Sequence, residues 1–336
     1  MKRCVTPSGR IGDNGCMSET SAKKIVAVTV TYNIDSAFEA SLESYLDQVD
    51  RVIVVDNSTR REAREQLATM AEARGHRVRL IQNGDNLGLA KAQNIGIAAA
   101  LDEGADWVLM MDDDSCAAEQ MVRRLSQAVE RHDLDPRTSI LVPQYQEQSV
   151  TREARYVVAP GGRFRGVGFA IDDFSQKPVL ENLFIAISSG SLIQASLFRE
   201  IGLIRESFEI DYLDVDFCLR AITQGYRIAA VRDAILLHNL GAQTEHRFMG
   251  RRFWAWNHSA RRRFTIYRNR TRIWREYLFR FPGFILYDGL ATMQDLFRIL
   301  MFERNKPAKL KAVIKGVTIG LFGPGLRAQS LQSAND

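Results

Sequence analysis

The apolar positions of this chain fall into short runs separated by longer amphipathic stretches. Lys23-Lys24 precedes Ile25-Val26-Ala27-Val28-Thr29-Val30, a β-branched run that predicts a strand buried on both faces. Ser36 to Gln48 carries Phe38, Leu42, Tyr45, Leu46 and Val49 on one side and reads as an amphipathic helix. Val52 to Val55 predicts a second strand, ended by Asp56-Asn57-Ser58, and Arg60 to Arg74 a charged helix closed by Gly75. Val78 to Ile81 predicts a third strand. Asn86-Leu87-Gly88 leads into a helix over Leu89 to Leu101, and Trp107 to Met111 predicts a fourth strand that runs straight into Asp112-Asp113-Asp114.

Strands alternating with helices at this spacing predict an α/β fold with a doubly wound, mostly parallel sheet. Such sheets bind ligands beyond the carboxyl ends of their strands. Three polar clusters stand at such ends: Thr31-Tyr32-Asn33, Asp56-Asn57 and Asp112 to Asp114. Past Arg137 the pattern changes. Arg163 to Ala170 alternates and is rich in glycine, which suggests a hairpin, and Leu183 to Ile187 reads as a buried strand. Ser189-Gly190-Ser191 reads as a tight turn before a helix, Asp214 to Gln224 as a helix stopped by Gly225, and Tyr226 to Val231 as a strand. The last third is basic, aromatic and expected to be helical.

Composition narrows the class. The chain has 336 residues, 46% hydrophobic and 25% charged, enough for a packed core and close to globular norms. Residues 1–22 are polar with no apolar stretch of a secretory signal, so a mobile leader is expected. Cys4, Cys16, Cys116 and Cys218 show neither regular spacing nor a C-x-x-C pair, which fits a reducing, cytoplasmic setting. A spanning helix needs roughly 18 or more apolar residues. Leu278 to Phe302 is broken by Arg280, Asp288, Asp295 and Arg298, so it could lie on a membrane and not cross one. The net charge of +5 is uneven, with arginines gathered between Arg247 and Arg275. Such a patch suits an anionic partner. Phe253, Trp254, Trp256, Phe264 and Tyr267 intervene among Arg251-Arg252 and Arg261-Arg262-Arg263, which favours a membrane interface over nucleic acid.

Three adjacent carboxylates at a strand end repel one another unless a cation neutralises them. Oxygen ligation suits Mg²⁺ or Mn²⁺, held by one or two carboxylates together with substrate phosphates; a solvated acidic turn is the plainer alternative. Asp56 could accept a hydrogen bond from a pyrimidine imide, with Asn57 beside it, although an Asp-Asn-Ser sequence is also a common turn. The Asn86 to Gly96 segment places amides and small residues at a helix start, where backbone N–H groups attract phosphate or ribose oxygens, and where Gly88 and Gly96 also permit close helix–sheet packing. Asp214 and Asp216 stand at another helix start, a position the helix dipole favours without any function. His238, after an apolar run, becomes a ligand candidate only beside a metal. Gly166-Val167-Gly168 lacks the third glycine of a dinucleotide-binding fingerprint.

In their order these segments resemble the inverting family-two glycosyltransferases of GT-A fold, and within them the bacterial rhamnosyltransferase branch. The resemblance covers about residues 25 to 275 and rests on Val30-Thr31-Tyr32-Asn33, Val54 to Ser58, Asn86 to Gly96, Met111 to Ser115, Ser189 to Ile193, Ile210 to Arg220, Gly225 to Ile228, His238 and Tyr267-Arg268-Asn269-Arg270. It implies a catalytic domain over 23–240, with a Rossmann-like nucleotide-sugar half (23–137) and an acceptor half (138–240), followed by a basic helical appendage (241–336). By the resemblance Thr31, Tyr32, Asn33, Asp56, Asn57, Asn86, Gly88, Lys91, Asn94, Asp112 and Asp113 line the nucleotide-sugar site. Asp112, Asp114 and His238 hold the divalent cation, and Asp214 is the base that activates the acceptor. Where many relatives have Glu-Asp, this chain has Leu213-Asp214, which leaves Asp216 open as an alternative base. The branch implies dTDP-rhamnose as donor, a polyprenyl-diphosphate-linked glycan as acceptor, and a place on the inner face of the plasma membrane.

Overall fold

The structure is a computed structural model that describes residues 23–147, 154–238, 244–248 and 251–326. The expected leader, residues 1–22, lies outside them. In the first half the elements follow the predicted order with bounds shifted by a residue or two: β1 (Ile25–Thr31), α1 (Ala37–Leu46), β2 (Arg51–Asp56), α2 (Arg61–Ala73), β3 (Val78–Gln82), α3 (Leu89–Asp102) and β4 (Trp107–Asp112). A short β5 (Cys116–Ala117) and the helices α4 (Met121–Ser126) and α5 (Ala128–Arg131) lead to β6 (Thr138–Glu147). Then come β7 (Tyr156–Val158), β8 (Ala170–Asp172), β9 (Val179–Glu181), β10 (Leu192–Gln194), α6 (Ala195–Ile201), α7 (Leu213–Thr223) and β11 (Arg227–His238). The chain closes with β12 (Thr244–Phe248), β13 (Arg251–Ala255), α8 (Ala260–Tyr277), α9 (Pro282–Phe302) and α10 (Lys306–Phe322).

Among the described residues the main sheet has nine strands in the order β3-β2-β1-β4-β10-β6-β11-β5, with β9 also paired to β11. β1, β2, β3 and β4 are mutually parallel, and β6 and β11 are parallel to each other. β10 is antiparallel to both β4 and β6, so all six long strands run one way. The expected mostly parallel α/β sheet is therefore present, with helices on both faces. Alternation places the residues: Val26 and Val28 of β1 pack with Ile53 and Val55 on one face, Ile25 and Ala27 with Val52 and Val54 on the other. Gly96 lets α3 lie close to the sheet, since a Cβ there would stand 2.3 Å from Val28 Cγ1.

The second half departs from the sequence reading in four places. Arg163 to Phe169 is not strand but connecting chain, and the hairpin is made by β7 with β8, which begins at Ala170. The glycines take the loop to the start of α9, where the Gly283 N–H donates to Gly166 O. Leu183, Phe184 and Ala186 pack inward, Ile187 is exposed, and among the described residues the segment is bridged to a strand through Leu183 and Val158. Ser189-Gly190-Ser191 turns first into β10 and only then into α6. The basic region opens on the β12–β13 hairpin before its three helices.

Because β10 runs against its neighbours, its amino end lies at the carboxyl end of β4. That reversal carries Ser188 and Ser189 to the sheet edge where Asp112 emerges. The core also crosses the expected boundary at residue 240: Ile273, Tyr277, Phe281 and Phe284 belong to the same cluster as Phe184 and Phe217.

Candidate active site

Asp112, Asp113, Asp114 and Asp214 share one region at that edge. The Asp112 N–H donates to Ser189 Oγ at 3.3 Å, and Ser189 Oγ donates to Ser115 Oγ at 3.0 Å. The Ser188 N–H donates to Asp214 Oδ2 at 3.2 Å. The turn before β10 thus ties the acidic end of β4 to the start of α7. Burial, followed by repulsion from Asp114, Asp214 and Asp113, pushes the Asp112 carboxyl up to about 7. Burial and Asp114 push Asp113 up to about 6, against hydrogen bonds from the Tyr32 and Asp113 backbone. Asp114 is exposed. Asp214 is partly buried, and loss of solvation raises its carboxyl above the ordinary range despite the Ser188 bond. A cavity of about 20 Å³ touches Asp214, and its apolar walls include Met110, Ile193, Phe198 and Phe217.

The two acidic residues at the start of α7 have different fates. Asp216 is 0% exposed and accepts from Arg205 Nη1 at 2.8 Å, Arg220 Nε at 3.0 Å and Tyr277 Oη at 3.1 Å. Arg220 also donates to the carbonyls of Ile201 and Leu203 at 2.6 and 2.7 Å. Asp216 is the centre of a buried ion network and has no oxygen facing the cleft chemistry. Of the pair, Asp214 is the one that stands at the acidic edge.

On the other flank, Asp56 is 0% exposed and enclosed by its own turn. Its Oδ1 accepts from Ser58 N at 2.8 Å and Thr31 Oγ1 at 3.3 Å, and its Oδ2 from Gln82 Nε2 at 3.4 Å. Asn33, at φ +51°, accepts from Thr59 N and Arg60 N through its side chain and so joins the β1 and β2 turns. Tyr32 is 51% exposed above them. Asn57 Nδ2 donates to Gly88 O at 3.2 Å, and Asn86 Oδ1 accepts from Gly88 N at 2.9 Å, bringing the start of α3 to the same rim. Gly88 at φ +85° makes that turn. Lys91 is half-buried one turn into α3.

Asn94 corrects the sequence reading. It is fully buried, donating to Ile204 O and Glu206 Oε1 and accepting from Ile204 N, so it anchors α3 to the α6–α7 connection and contacts no ligand space. His238 ends β11, and its side chain lies outside the described residues. Among the described residues no three His, Cys, Asp or Glu side chains form a ready metal cage. The crowding recorded at Asp112 nevertheless fits an oxygen-preferring cation that shares Asp112 and Asp114 and completes its shell with phosphate oxygens.

The arginine cluster is also corrected. Arg263 is 2% exposed and paired with Asp295 at 2.8 Å and with Glu303; Lys309 completes the network at 2.8 Å from Glu303. Arg262 pairs with Asp211, and Arg270 with Asp288. The Arg263, Lys309 and Arg270 pairs knit the three helices to one another, Arg262 ties α8 to the segment before α7, and Arg261 stays exposed. Arg251 and Arg252 have side chains outside the described residues.

A profile described as "Glycosyl transferase family 2" matches residues 26–202, which span β1 through α6 and include the acidic triplet. The chain belongs to glycosyl transferase family 2. Among characterised proteins, this glycosyltransferase is 29% identical over 219 residues to "dTDP-rhamnosyl transferase RfbF" of Shigella flexneri, covering 65% of this chain and 69% of that one. It is 25% identical to "Low-salt glycan biosynthesis hexosyltransferase Agl10" of Haloferax volcanii, covering 68% and 71%. Its fold matches the S. aureus TarS 1-349 crystal structure with a TM-score of 0.57 at 14% identity, covering 89% of this chain and 81% of that one. GalNAc-T7, solved with UDP, GalNAc and Mn²⁺, matches at 0.54 and 13% identity, covering 92% and 56%. Asp214 and everything after it lie beyond the matched profile. Ser189 and Asn269, which help hold the edge together, lie in segments that carry the family resemblance but were given no role by it, and Ser188 lies outside those segments.

Proposed function

We propose that this family-two glycosyltransferase moves L-rhamnose from dTDP-rhamnose onto an acceptor hydroxyl with inversion, in building a cell-surface glycan on a polyprenyl-diphosphate carrier. The gathering of Asp112, Asp113, Asp114 and Asp214 at one edge, with Asp216 withdrawn, is the observation that carries the reading. The likeness to a dTDP-rhamnosyl transferase supports the donor.

In this reading the nucleotide lies along the rim made by the β1, β2 and α3 turns. Tyr32 offers its exposed ring, Asn33 and Asn57 fix the turns, and a pyrimidine imide reaches Asp56 by replacing the 3.4 Å contact from Gln82. The backbone around Gly88, with Asn86 and Lys91, faces the diphosphate or ribose. Asp112 and Asp114 would hold a Mg²⁺ or Mn²⁺ ion, with Asp113 beside the ribose. Such an ion supplies Lewis-acid stabilisation for charge on the departing nucleoside diphosphate. Asp214 takes the proton of the acceptor hydroxyl as that oxygen bonds to the anomeric carbon and the anomeric carbon–diphosphate bond breaks. One displacement inverts the centre.

No helix among the described residues is long and apolar enough to cross a membrane. Attachment to the inner face of the plasma membrane is instead read from α9. Leu286, Leu290, Met293, Phe297 and Leu300 are exposed along one stripe, with Phe279 96% exposed at the preceding turn. An apolar helix face with Arg298, Arg304 and Lys306 nearby suits an interface bearing anionic lipid.

The test is a donor screen on the purified chain with dTDP-rhamnose, UDP-galactofuranose, UDP-glucose and GDP-mannose, each with and without Mn²⁺, repeated on Asp114→Ala and Asp214→Asn. Cation-dependent turnover of dTDP-rhamnose, lost in both variants, is expected. Preference for UDP-galactofuranose overturns the donor, and turnover of none of them favours a binding protein that keeps the fold.

A further inference from the structure

The backbone leading into α7 is bent in a way that ordinary residues resist. Glu209, Asp211 and Tyr212 have φ of +59°, +63° and +66°, and none is glycine. Such a residue persists only where its surroundings impose it. Here the surroundings are α8. Asn269, 0% exposed, directs its Nδ2 at three carbonyls of this segment, donating to Phe208 O at 2.8 Å and to Ile210 O and Asp211 O at 3.0 Å each. Around it Arg268 pairs with Glu209 at 3.1 Å, Arg262 with Asp211 at 3.1 Å, and Arg270 donates to the Tyr212 hydroxyl. The same segment touches the donor rim, where the Ala90 N–H donates to Glu209 O at 3.3 Å. Asp214 follows two residues after Tyr212.

We infer that Asn269 is a positioning residue for the acceptor-activating carboxylate: by holding three carbonyls of a left-handed connection, it sets where Asp214 stands against the cleft. The inference rests on the reading of Asp214 as the base. Without the amide the segment relaxes toward ordinary φ, and the start of α7 moves with it. Base catalysis is sensitive to such displacement, since about 1 Å can cost on the order of 100-fold in rate.

The experiment is a double-mutant cycle on the full chain with Asp214→Glu, which keeps a carboxylate but displaces it, measuring kcat per donor-binding site with radiolabelled dTDP-rhamnose and counting those sites by calorimetric titration. Asn269→Ala is expected to lower kcat per site about 10- to 100-fold, to keep donor KM within about twofold, and to cost far less in the Asp214→Glu background, where the carboxylate is already misplaced. A residue that only stabilises the fold would lower the number of binding sites and leave kcat per site unchanged. Wild-type kcat per site in Asn269→Ala, or losses that multiply with Asp214→Glu, overturns the inference. Should Asp214→Glu be inactive, the fall in kcat per site at unchanged donor KM decides alone. Wild-type kcat in Asp214→Asn sinks the base reading itself, whatever Asn269 does. Should Asn269→Ala not fold, Arg262→Ala with Arg268→Ala is measured in the same way: a lower kcat per site supports the inference, and an unchanged one refutes it.

Discussion

Asp214 and Asp216 are separated only by Val215 in the sequence and should respond oppositely to the same isosteric change. Asp216→Asn removes one negative charge from a buried set in which two guanidinium groups and a tyrosine hydroxyl converge at 2.8 to 3.1 Å. Arg220 then loses its carboxylate partner, and Arg205 keeps only Glu276, at 3.6 Å. Breaking a buried pair in this way costs about 3–5 kcal/mol, against a total of roughly 5–15 kcal/mol for an ordinary domain. At roughly 2–4 °C per kcal/mol, the melting temperature should fall by about 6–20 °C. Asp214→Asn acts in the other sense. The fold raises the Asp214 carboxyl, so the ionised form is disfavoured on folding, and an amide at pH 7 removes that penalty. Its melting temperature should hold or rise while transfer is abolished. Thermal unfolding followed by circular dichroism, beside a transfer assay on the same samples, measures both. An Asp216→Asn chain that melts within two or so degrees of wild type would refute the network's role. So would an Asp214→Asn chain that is as destabilised as its neighbour.

Three further outcomes follow. Asp112 lies near 7 in the folded chain against 3.8 ordinarily, so its ionisation penalty is absent below about pH 4, grows through the interval, and is complete above about 7; Asp112→Asn should therefore raise the melting temperature of the metal-free protein at pH 8 and not at pH 4, and an equal change at both would contradict the assignment. Gly96→Ala sets a methyl 2.3 Å from Val28 Cγ1 and 3.0 Å from Val55 Cγ2, and overpacking of that kind costs about 1–3 kcal/mol, read as a lower urea midpoint; an unchanged midpoint would mean that α3 shifts freely. Met293→Glu together with Phe297→Glu should abolish flotation with anionic liposomes while sparing transfer to a soluble acceptor, whereas undiminished flotation would move the membrane contact elsewhere.

The parallel half was legible because β1 and β2 are β-branched runs, β4 is an unbroken apolar run, and each of the four strands is followed by polar residues. The second half was not, for local reasons. β6 contains Pro143, which cannot donate to a ladder, and the register of β11 against it breaks between Val231 and Ile235. β10 has three residues, too few for a period to show. Asp112 and Asp114 emerged as candidates from their position at a strand end, whereas Asp214 came forward as the base only through the family resemblance. Choosing between Asp214 and Asp216 needed Arg205 and Tyr277, which are 11 and 61 residues away from Asp216. Asn94 misled because a buried amide that bridges two backbones looks, in sequence, like one that awaits a ligand. The arginines of α8 misled for a related reason: their acidic partners Asp211, Asp288, Asp295 and Glu303 lie on other elements.

The matched profile stops at residue 202, but the folding unit does not. Tyr277, Phe281 and Phe284 fill the interior between α7 and the loop after Gly166, so a chain cut after β11 would be left with a hole where aromatic rings belong. Truncation is therefore the wrong way to ask what the carboxyl-terminal helices contribute. Fragments ending near 202 or 240 would report on collapse of the interior, and point substitutions on the outer face of α9 are the cleaner probe of anything those helices touch.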